Sequence, residues 1–170
     1  DKLDPRRIES IVKQALVEDI GKGDITTQLT IPKDKLIKGT VLVKEDCVVC
    51  GLDIMEAAFK TVDKDIKFSP QVKEGHKIKK GKAIAIVEGK AQSILSAERV
   101  GLNLLSLLSS VATKTREYVD KIEPSKVKIS DTRKTIPGLR DLQKYAVRVG
   151  GGHNHRMGLD EMVLIKDNHI

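Results

Sequence analysis

Cationic side chains are concentrated in three short segments near the end of the chain. The segment DTRKT holds Arg133 and Lys134, GGGHNHR holds His155 and Arg156, and KDNH holds Lys166. Arginine binds carboxylates and phosphates through paired hydrogen bonds, and lysine adds a point charge that suits phosphate oxygens. The combination predicts a site for a substrate with several negative charges.

Two simpler interpretations of these segments remain open. Each cation could be a surface charge paired with a nearby acid such as Asp131, Asp141 or Asp160. His153 and His155 could instead be a metal pair, although no third ligand is evident nearby. We therefore predict no metal site on this chain.

The elements around these segments are predicted to form a strand, a helix and a second strand. Residues 126–130 (KVKIS) and 161–165 (EMVLI) have strand patterns, and residues 139–149 have a helical pattern that ends at three glycines. Such a unit places its two strands in parallel with a right-handed crossover. The strands of this unit should therefore carry the cationic segments at their C-terminal ends.

Functional loops of parallel α/β folds follow the C-terminal ends of the strands. Adjacent parallel strands lie about 4.8 Å apart. Arg133, Lys134 and Lys166 are therefore expected around one pocket, with His155 and Arg156 at its rim.

Helical and strand patterns alternate in residues 1 to about 92. Asp4 and Pro5 predict the N-cap and first position of an amphipathic helix. Asp53 and Glu56 resemble a capping box at the start of a second helix. The runs GTVLVKEDCVVC, DIKFS and KAIAIVEG are predicted strands, so this part of the chain is expected to be an α+β layer.

A long helical pattern over residues 95–122 separates two predicted domains. We expect it to be two helices, broken near Ser109 and Ser110 at a hinge. Residues 1–104 are then an α+β sandwich domain with a linking helix, and residues 105–170 are the first part of an α/β, barrel-like domain with parallel strands. Because a full barrel takes about 250 residues, we expect the 170-residue chain alone to be inactive.

Composition narrows the class of protein. The chain has a formal net charge of +7 but only 2% aromatic residues, so stacking platforms for nucleic acid are scarce and nucleic-acid binding is the weaker alternative. No continuous apolar run reaches the roughly 20 residues that cross a bilayer, and DKLDPRRIES lacks the apolar stretch of a signal peptide. We expect a cytoplasmic protein with no membrane partner.

Two further motifs have structural interpretations that we favour. Cys47 and Cys50 lie three apart in a predicted strand and should face opposite sides, which disfavours a disulfide or a shared metal. The stretch VKEGHKIKKGKAIAIVEG has the hairpin pattern of biotinyl or lipoyl carriers. However, Lys79 and Lys80 beside Gly81 lack the hydrophobic setting of a modifiable lysine.

The segments DTRKTIPGLRDLQKYAVRVGGGHNHRMGL and LIKDNH resemble quinolinate phosphoribosyltransferase, also called nicotinate-nucleotide pyrophosphorylase (carboxylating). The resemblance extends to two earlier segments, ALVEDIGKGDITT and LSAERVGLNLLSLLSSVATKT. The resemblance implies phosphoribosyl transfer from phosphoribosyl pyrophosphate to quinolinate with decarboxylation, giving nicotinate mononucleotide for NAD biosynthesis. Nicotinate phosphoribosyltransferase remains the enzymatic alternative, and a non-enzymatic carrier or nucleic-acid-binding module is the other.

By match to the family's motifs, the resemblance also implies roles for single residues. Arg133, Arg156 and Lys166 would bind the two carboxylates of quinolinate, with Thr132 and His155 nearby. We therefore expect the substrate pocket to be predominantly cationic.

The remaining roles involve the second substrate and a second subunit. The resemblance implies that Lys134 meets phosphoribosyl pyrophosphate, which makes Lys134 and Lys166 the candidate catalytic residues. It implies a homodimer or higher homo-oligomer in which Arg99 reaches the neighbouring subunit's site. Mg²⁺ is expected to bind with phosphoribosyl pyrophosphate, through residues that this chain does not contain.

Overall fold

The computed structural model describes residues 3–170. Its helices are α1 (Pro5–Ile20), α2 (Ile25–Thr30), α3 (Leu52–Val62), α4 (Ala91–Ile122) and α5 (Arg140–Val149). Its strands are β1 (Leu36–Leu42), β2 (Cys47–Val48), β3 (Lys67–Pro70), β4 (Lys77–Ile78) and β5 (Ala83–Lys90), and a 3-10 turn spans Asp167–His169. The strands form an antiparallel sheet of order β1-β5-β3 and an antiparallel pair β2-β4.

Two hydrophobic clusters hold these elements together. In the first, the sheet packs against α3 and α4, and the rings of Phe59 and Phe68 lie 5.9 Å apart between centroids. The second joins α1, α3, α4 and α5 through residues such as Val12, Leu108 and Leu142. Because Leu142 is fully buried in this second cluster, α5 is fixed to the helices of the N-terminal part.

The first helix begins where the sequence predicts. The Asp4 side chain accepts a hydrogen bond from the Arg6 backbone N–H at 2.9 Å, and Pro5 occupies the first helical turn. Ile11, Val12 and Leu16 are the buried residues of α1, as the helical spacing predicts. The predicted N-cap is confirmed.

The predicted capping box of α3 is wrong. Gly51 is the N-cap and adopts a left-handed φ of 107°, while Asp53 makes no capping hydrogen bond. The Glu74 carboxylate accepts instead from the backbone N–H groups of Gly51, at 2.9 and 3.0 Å, and of Leu52, at 2.6 Å. A distant acid therefore satisfies the free amide groups at this helix terminus and complements its dipole.

The predicted break in the long helix is also wrong, because α4 is continuous over 32 residues. The Ser109 hydroxyl accepts from the Cys50 backbone N–H at 3.0 Å and donates to the Cys50 carbonyl at 3.2 Å. The Ser110 hydroxyl donates to the Leu107 carbonyl at 2.8 Å. The hydroxyls are thus satisfied without interrupting the helix.

By length and composition alone, α4 could also cross a membrane, and it is the one such helix in residues 3–170. Its buried residues include Leu104, Leu105 and Leu108, and they belong to the two hydrophobic clusters. The apolar character of α4 is therefore accounted for by packing inside the protein.

The two predicted parallel strands do not form. Residues 126–130 make a single parallel bridge, between Ser130 and His153, and residues 161–165 are exposed and irregular. A strand needs a hydrogen-bonded neighbour along its length, and neither segment has one within residues 3–170. The helix predicted between them does form, as α5.

Both cysteines are free thiols. Burial raises the pKa of the Cys50 thiol well above its usual range, with a further contribution from the nearby Glu74 carboxylate. Burial also raises the pKa of Cys47, assisted by Glu45 and Asp46. Neither thiol is activated as a nucleophile, because activation requires a lowered pKa.

We expect Gly150→Ala to destabilise the protein by about 1–3 kcal/mol, since overpacking against backbone cannot be relieved by a side-chain rotation. A Cβ at Gly150 would lie 2.5 Å from the Ala112 carbonyl oxygen and 2.7 Å from Cβ of Thr115. Equilibrium urea unfolding measures the loss. Gly158→Ala is the matched control, because the nearest atom there, 2.3 Å away, ends the exposed and movable side chain of Asp160. Equal stability of the two variants would contradict the prediction.

Candidate functional site

Three cationic side chains predicted from the sequence lie around one cavity. Arg133, Arg156 and Lys166 line a cavity of about 470 Å³ at the C-terminal end of the described chain. The rest of its lining consists of Leu159, Met162, Val163, Leu164, Ile165, Asn168 and His169. The lining residues include no acidic side chain, so the cavity suits an anion.

The two arginines each hold a buried donor without a partner. Nε of Arg133 and Nε of Arg156 are buried, and neither has a hydrogen-bond acceptor within residues 3–170. Arg156 is 8% exposed, and another of its nitrogens donates to the Met162 carbonyl. A buried guanidinium N–H without an acceptor is costly, and such a group in a folded protein calls for an explanation such as a functional role.

The other predicted residues are near the cavity in sequence but do not line it. Thr132 and Lys134 are exposed, and the Lys134 backbone N–H donates to the Thr132 hydroxyl at 3.0 Å, which shapes the turn. His155 is half-buried, and its backbone rather than its ring makes the described hydrogen bonds. His153 is exposed, and within residues 3–170 no group of three or more metal-ligating side chains is present.

Arg99 lies in a different place. It is an exposed residue of α4, beside a second cavity of about 580 Å³ between this helix and the chain around β1 and β2. Leu42, Lys44 and Lys114 also line that cavity, and none of its lining residues belongs to the first. Arg99 and the other predicted site residues of this chain are therefore not brought together.

A buried ion pair joins the first two cationic segments. Nζ of Lys144, which is 1% exposed, lies 2.6 Å from Oδ1 of Asp131 and donates to the His155 carbonyl at 2.8 Å. The His155 N–H donates to the same Asp131 oxygen at 2.8 Å. The Asn154 amide donates to Oδ2 of Asp131 at 2.6 Å and to the Lys144 carbonyl at 2.9 Å. We call these contacts the Asp131–Lys144 network.

Helix α5 supplies two more cations to the same segments. Arg140 donates to the Thr135 hydroxyl at 3.1 Å and to the Met157 carbonyl at 2.9 Å. Arg148 donates to the side-chain oxygen of Asn154. These residues were not predicted as site residues, although Arg140, Lys144 and Arg148 are spaced by four and so share one helix face. That spacing is the signal by which they could have been found.

Family models match both parts of the chain. The model described as "Quinolinate phosphoribosyl transferase, N-terminal domain" matches residues 24–109, and the corresponding C-terminal domain model matches residues 111–170. The chain is 42% identical over 164 residues to the "Probable nicotinate-nucleotide pyrophosphorylase [carboxylating]" of Bacillus subtilis. It is 45% identical over 164 residues to "Quinolinate phosphoribosyltransferase [decarboxylating] 1b" of Nicotiana tabacum.

These alignments cover 96% of this chain but 56% of the Bacillus protein and 46% of the Nicotiana protein. The chain thus spans about half the length of the curated relatives it matches. The solved nicotinate-nucleotide pyrophosphorylase of Francisella tularensis superimposes with a TM-score of 0.94 at 41% identity, over 99% of this chain and 60% of that one. The solved nicotinate-nucleotide pyrophosphorylase of Ehrlichia chaffeensis superimposes with a TM-score of 0.92 at 39% identity, over 99% of this chain and 61% of that one. The sequence and the fold agree, and the chain belongs to the quinolinate phosphoribosyl transferase family.

Proposed function

We propose that the full-length protein transfers the phosphoribosyl group of phosphoribosyl pyrophosphate to quinolinate, with decarboxylation to nicotinate mononucleotide. The observation that carries the proposal is the meeting of Arg133, Arg156 and Lys166 around one cavity whose lining has no acidic side chain. Quinolinate has two adjacent carboxylates, and guanidinium groups bind carboxylates strongly. Membership of the family supports this enzyme over a carrier or nucleic-acid-binding module.

The reaction needs positioning and charge stabilisation more than a protein nucleophile. The pyridine nitrogen forms a bond to the anomeric carbon while the bond to pyrophosphate breaks. The C–CO₂ bond then breaks, and its electron pair stays on the ring carbon, where the neighbouring positively charged nitrogen stabilises it. A proton from solvent bonds to this pair and takes the place of the carboxylate. Arg133, Arg156 and Lys166 would hold the carboxylates and stabilise the developing negative charge at that carbon.

Lys134 has a different proposed partner. It is exposed and outside the cavity lined by the arginines, so it is free to meet the phosphates of phosphoribosyl pyrophosphate. Thr132 shapes the turn that carries Lys134, and His155 would lie near the substrate through its place in the chain directly before Arg156.

Mg²⁺ is proposed only as an ion that arrives with phosphoribosyl pyrophosphate. Magnesium prefers oxygen ligands, especially carboxylates, phosphates and water. Within residues 3–170 no group of three or more His, Cys, Asp or Glu side chains could hold a metal ion. The residues present do not fit a protein metal site, and no step above depends on one.

We also propose that the protein works in the cytoplasm as a homodimer or higher homo-oligomer in which Arg99 contributes to the neighbouring subunit's site. The separation of the Arg99 cavity from the Arg133 cavity supports this arrangement. The exposure of Arg99 leaves it available to a second subunit.

The test is an assay of the purified full-length protein with phosphoribosyl pyrophosphate, Mg²⁺ and either quinolinate or nicotinate. We expect nicotinate mononucleotide from quinolinate, with one CO₂ per product, and little product from nicotinate. Three cations around one cavity exceed what a single carboxylate requires. Equal or faster turnover of nicotinate would favour a nicotinate phosphoribosyltransferase and contradict the proposal.

A further inference from the structure

One face of α5 carries a row of three cations that all point at the candidate site. We call Arg140, Lys144 and Arg148 the α5 cation row. Like charges at a spacing of four destabilise an isolated helix. Here each cation has an acceptor in the segments 131–135 or 154–157. The row therefore binds the helix to both cationic segments of the site.

Lys144 is the central member and the most deeply buried. Its side chain is 1% exposed, and the side chain of its partner Asp131 is 8% exposed. The ammonium bridges an acid in one segment to the His155 carbonyl in the other, at 2.6 and 2.8 Å. Arg140 also bridges the two segments, through Thr135 and Met157, but Lys144 is the buried bridge and the one that contacts Asp131.

These two contacts are close in sequence to the substrate-binding arginines. Asp131 lies two residues before Arg133, and His155 immediately precedes Arg156. Lys144 therefore helps to hold the backbone that carries the two guanidinium groups, together with the backbone hydrogen bonds between residues 129–131 and His153. The cavity itself lies between those guanidinium groups and Lys166.

A role in stability alone is a poor explanation for this buried pair. Removing two charges from water is so costly that replacing a buried ion pair by apolar residues is often neutral or stabilising. The packing of α5 is already provided by Leu142 and Ala146, which are fully buried in the second cluster. What the ammonium adds is directional contact with two separate segments.

We propose that Lys144 is a positioning residue that sets the separation of Arg133 and Arg156, and through it the preference of the site for a pyridine with two adjacent carboxylates. The proposal rests on the proposed function. Lys144 does not line the cavity and acts only through Asp131 and the His155 backbone.

The test uses three variants of the full-length enzyme. Lys144→Met removes the ammonium and keeps the length of the side chain, but it leaves the Asp131 carboxylate buried without its cation. The double variant Asp131→Asn, Lys144→Met removes both charges, so it remains informative if the single variant does not fold. Lys77→Met is the matched control, because it breaks a lysine–aspartate pair of the same 2.6 Å length on the surface.

We expect both Lys144 variants to raise KM for quinolinate about tenfold or more, because small misplacements of binding groups can cost about a hundredfold. KM for phosphoribosyl pyrophosphate should stay within about twofold, and Lys77→Met should leave both values unchanged. If the folded double variant keeps a normal KM for quinolinate, or if both KM values rise equally, the positioning role is wrong.

Hydrogen exchange separates this inference from the proposed function. The His155 amide should exchange about tenfold faster in the folded Lys144→Met variant, because its acceptor Asp131 is no longer held by Lys144. The single variant is used here because Asp131→Asn changes the acceptor itself. This comparison needs no activity. If the wild-type enzyme does not use quinolinate, the proposed function fails, and unchanged His155 protection would separately overturn the positioning role.

Discussion

Arg133→Ala or Lys166→Ala in the full-length enzyme is expected to weaken quinolinate binding by about 10- to 100-fold. The reason is that a hydrogen bond to a charged group contributes about 1.5–3 kcal/mol, and each 1.4 kcal/mol is a factor of ten. Both side chains line the same cavity, and the lining of that cavity has no acidic side chain. Binding of phosphoribosyl pyrophosphate should change by less than about threefold, since that substrate is assigned to another residue.

Lys134→Ala should weaken the binding of phosphoribosyl pyrophosphate more than that of quinolinate, because Lys134 is exposed and outside that cavity. Titration calorimetry with each substrate measures both affinities. Lys38→Ala is a suitable control, since Lys38 pairs with Glu88 on the surface at 2.8 Å and neither residue lines the cavity. If all three variants lost affinity for both substrates equally, the cations would act through their summed charge and would not each bind one particular substrate.

Mixing an Arg99→Ala protein with an Arg133→Ala protein is expected to restore activity that neither has alone. If Arg99 serves the neighbouring subunit, a mixed dimer has one site with both defects and one intact site. Random exchange makes half of the dimers mixed, so about a quarter of the wild-type activity should return. The separate cavities of Arg99 and Arg133 give this prediction its structural basis.

The measurement is a steady-state assay before and after subunit exchange, with exchange verified by native mass spectrometry of differently tagged subunits. Mixing either variant with itself is the control. No recovery after complete exchange would place Arg99 in its own chain's site. Nearly unchanged activity of Arg99→Ala alone would make it a surface cation, consistent with the small contribution of exposed charges.

Local features of this fold were predictable because their causes lie within a few residues. Asp4 and Pro5 start α1 through a contact two residues away, and the helical spacing of Ile11, Val12 and Leu16 selects the buried face. The strand β5 was predicted from its run of β-forming residues. Backbone preferences and side-chain periodicity act at short range, so a sequence window contains them.

Features whose partners are far apart in the sequence were predicted wrongly or missed. The cap of α3 comes from Glu74, which is 23 residues from Gly51, and the Ser109 hydroxyl in α4 is bonded to Cys50, which is 59 residues away. The two segments predicted as parallel strands are not strands, because strand formation depends on a neighbouring strand and not only on composition.

The candidate site likewise has features that the sequence determined and features that only the tertiary structure determined. The sequence alone determined which residue types could bind a multiply charged anion, since Arg133, Arg156 and Lys166 were all named from the three cationic segments. Only the tertiary structure decided that these three share a cavity while Lys134 does not, and that Lys144 is buried between the segments. Charge is a property of the residue itself, whereas burial and the distance to a partner are set by the packing of α5 against the rest of the chain.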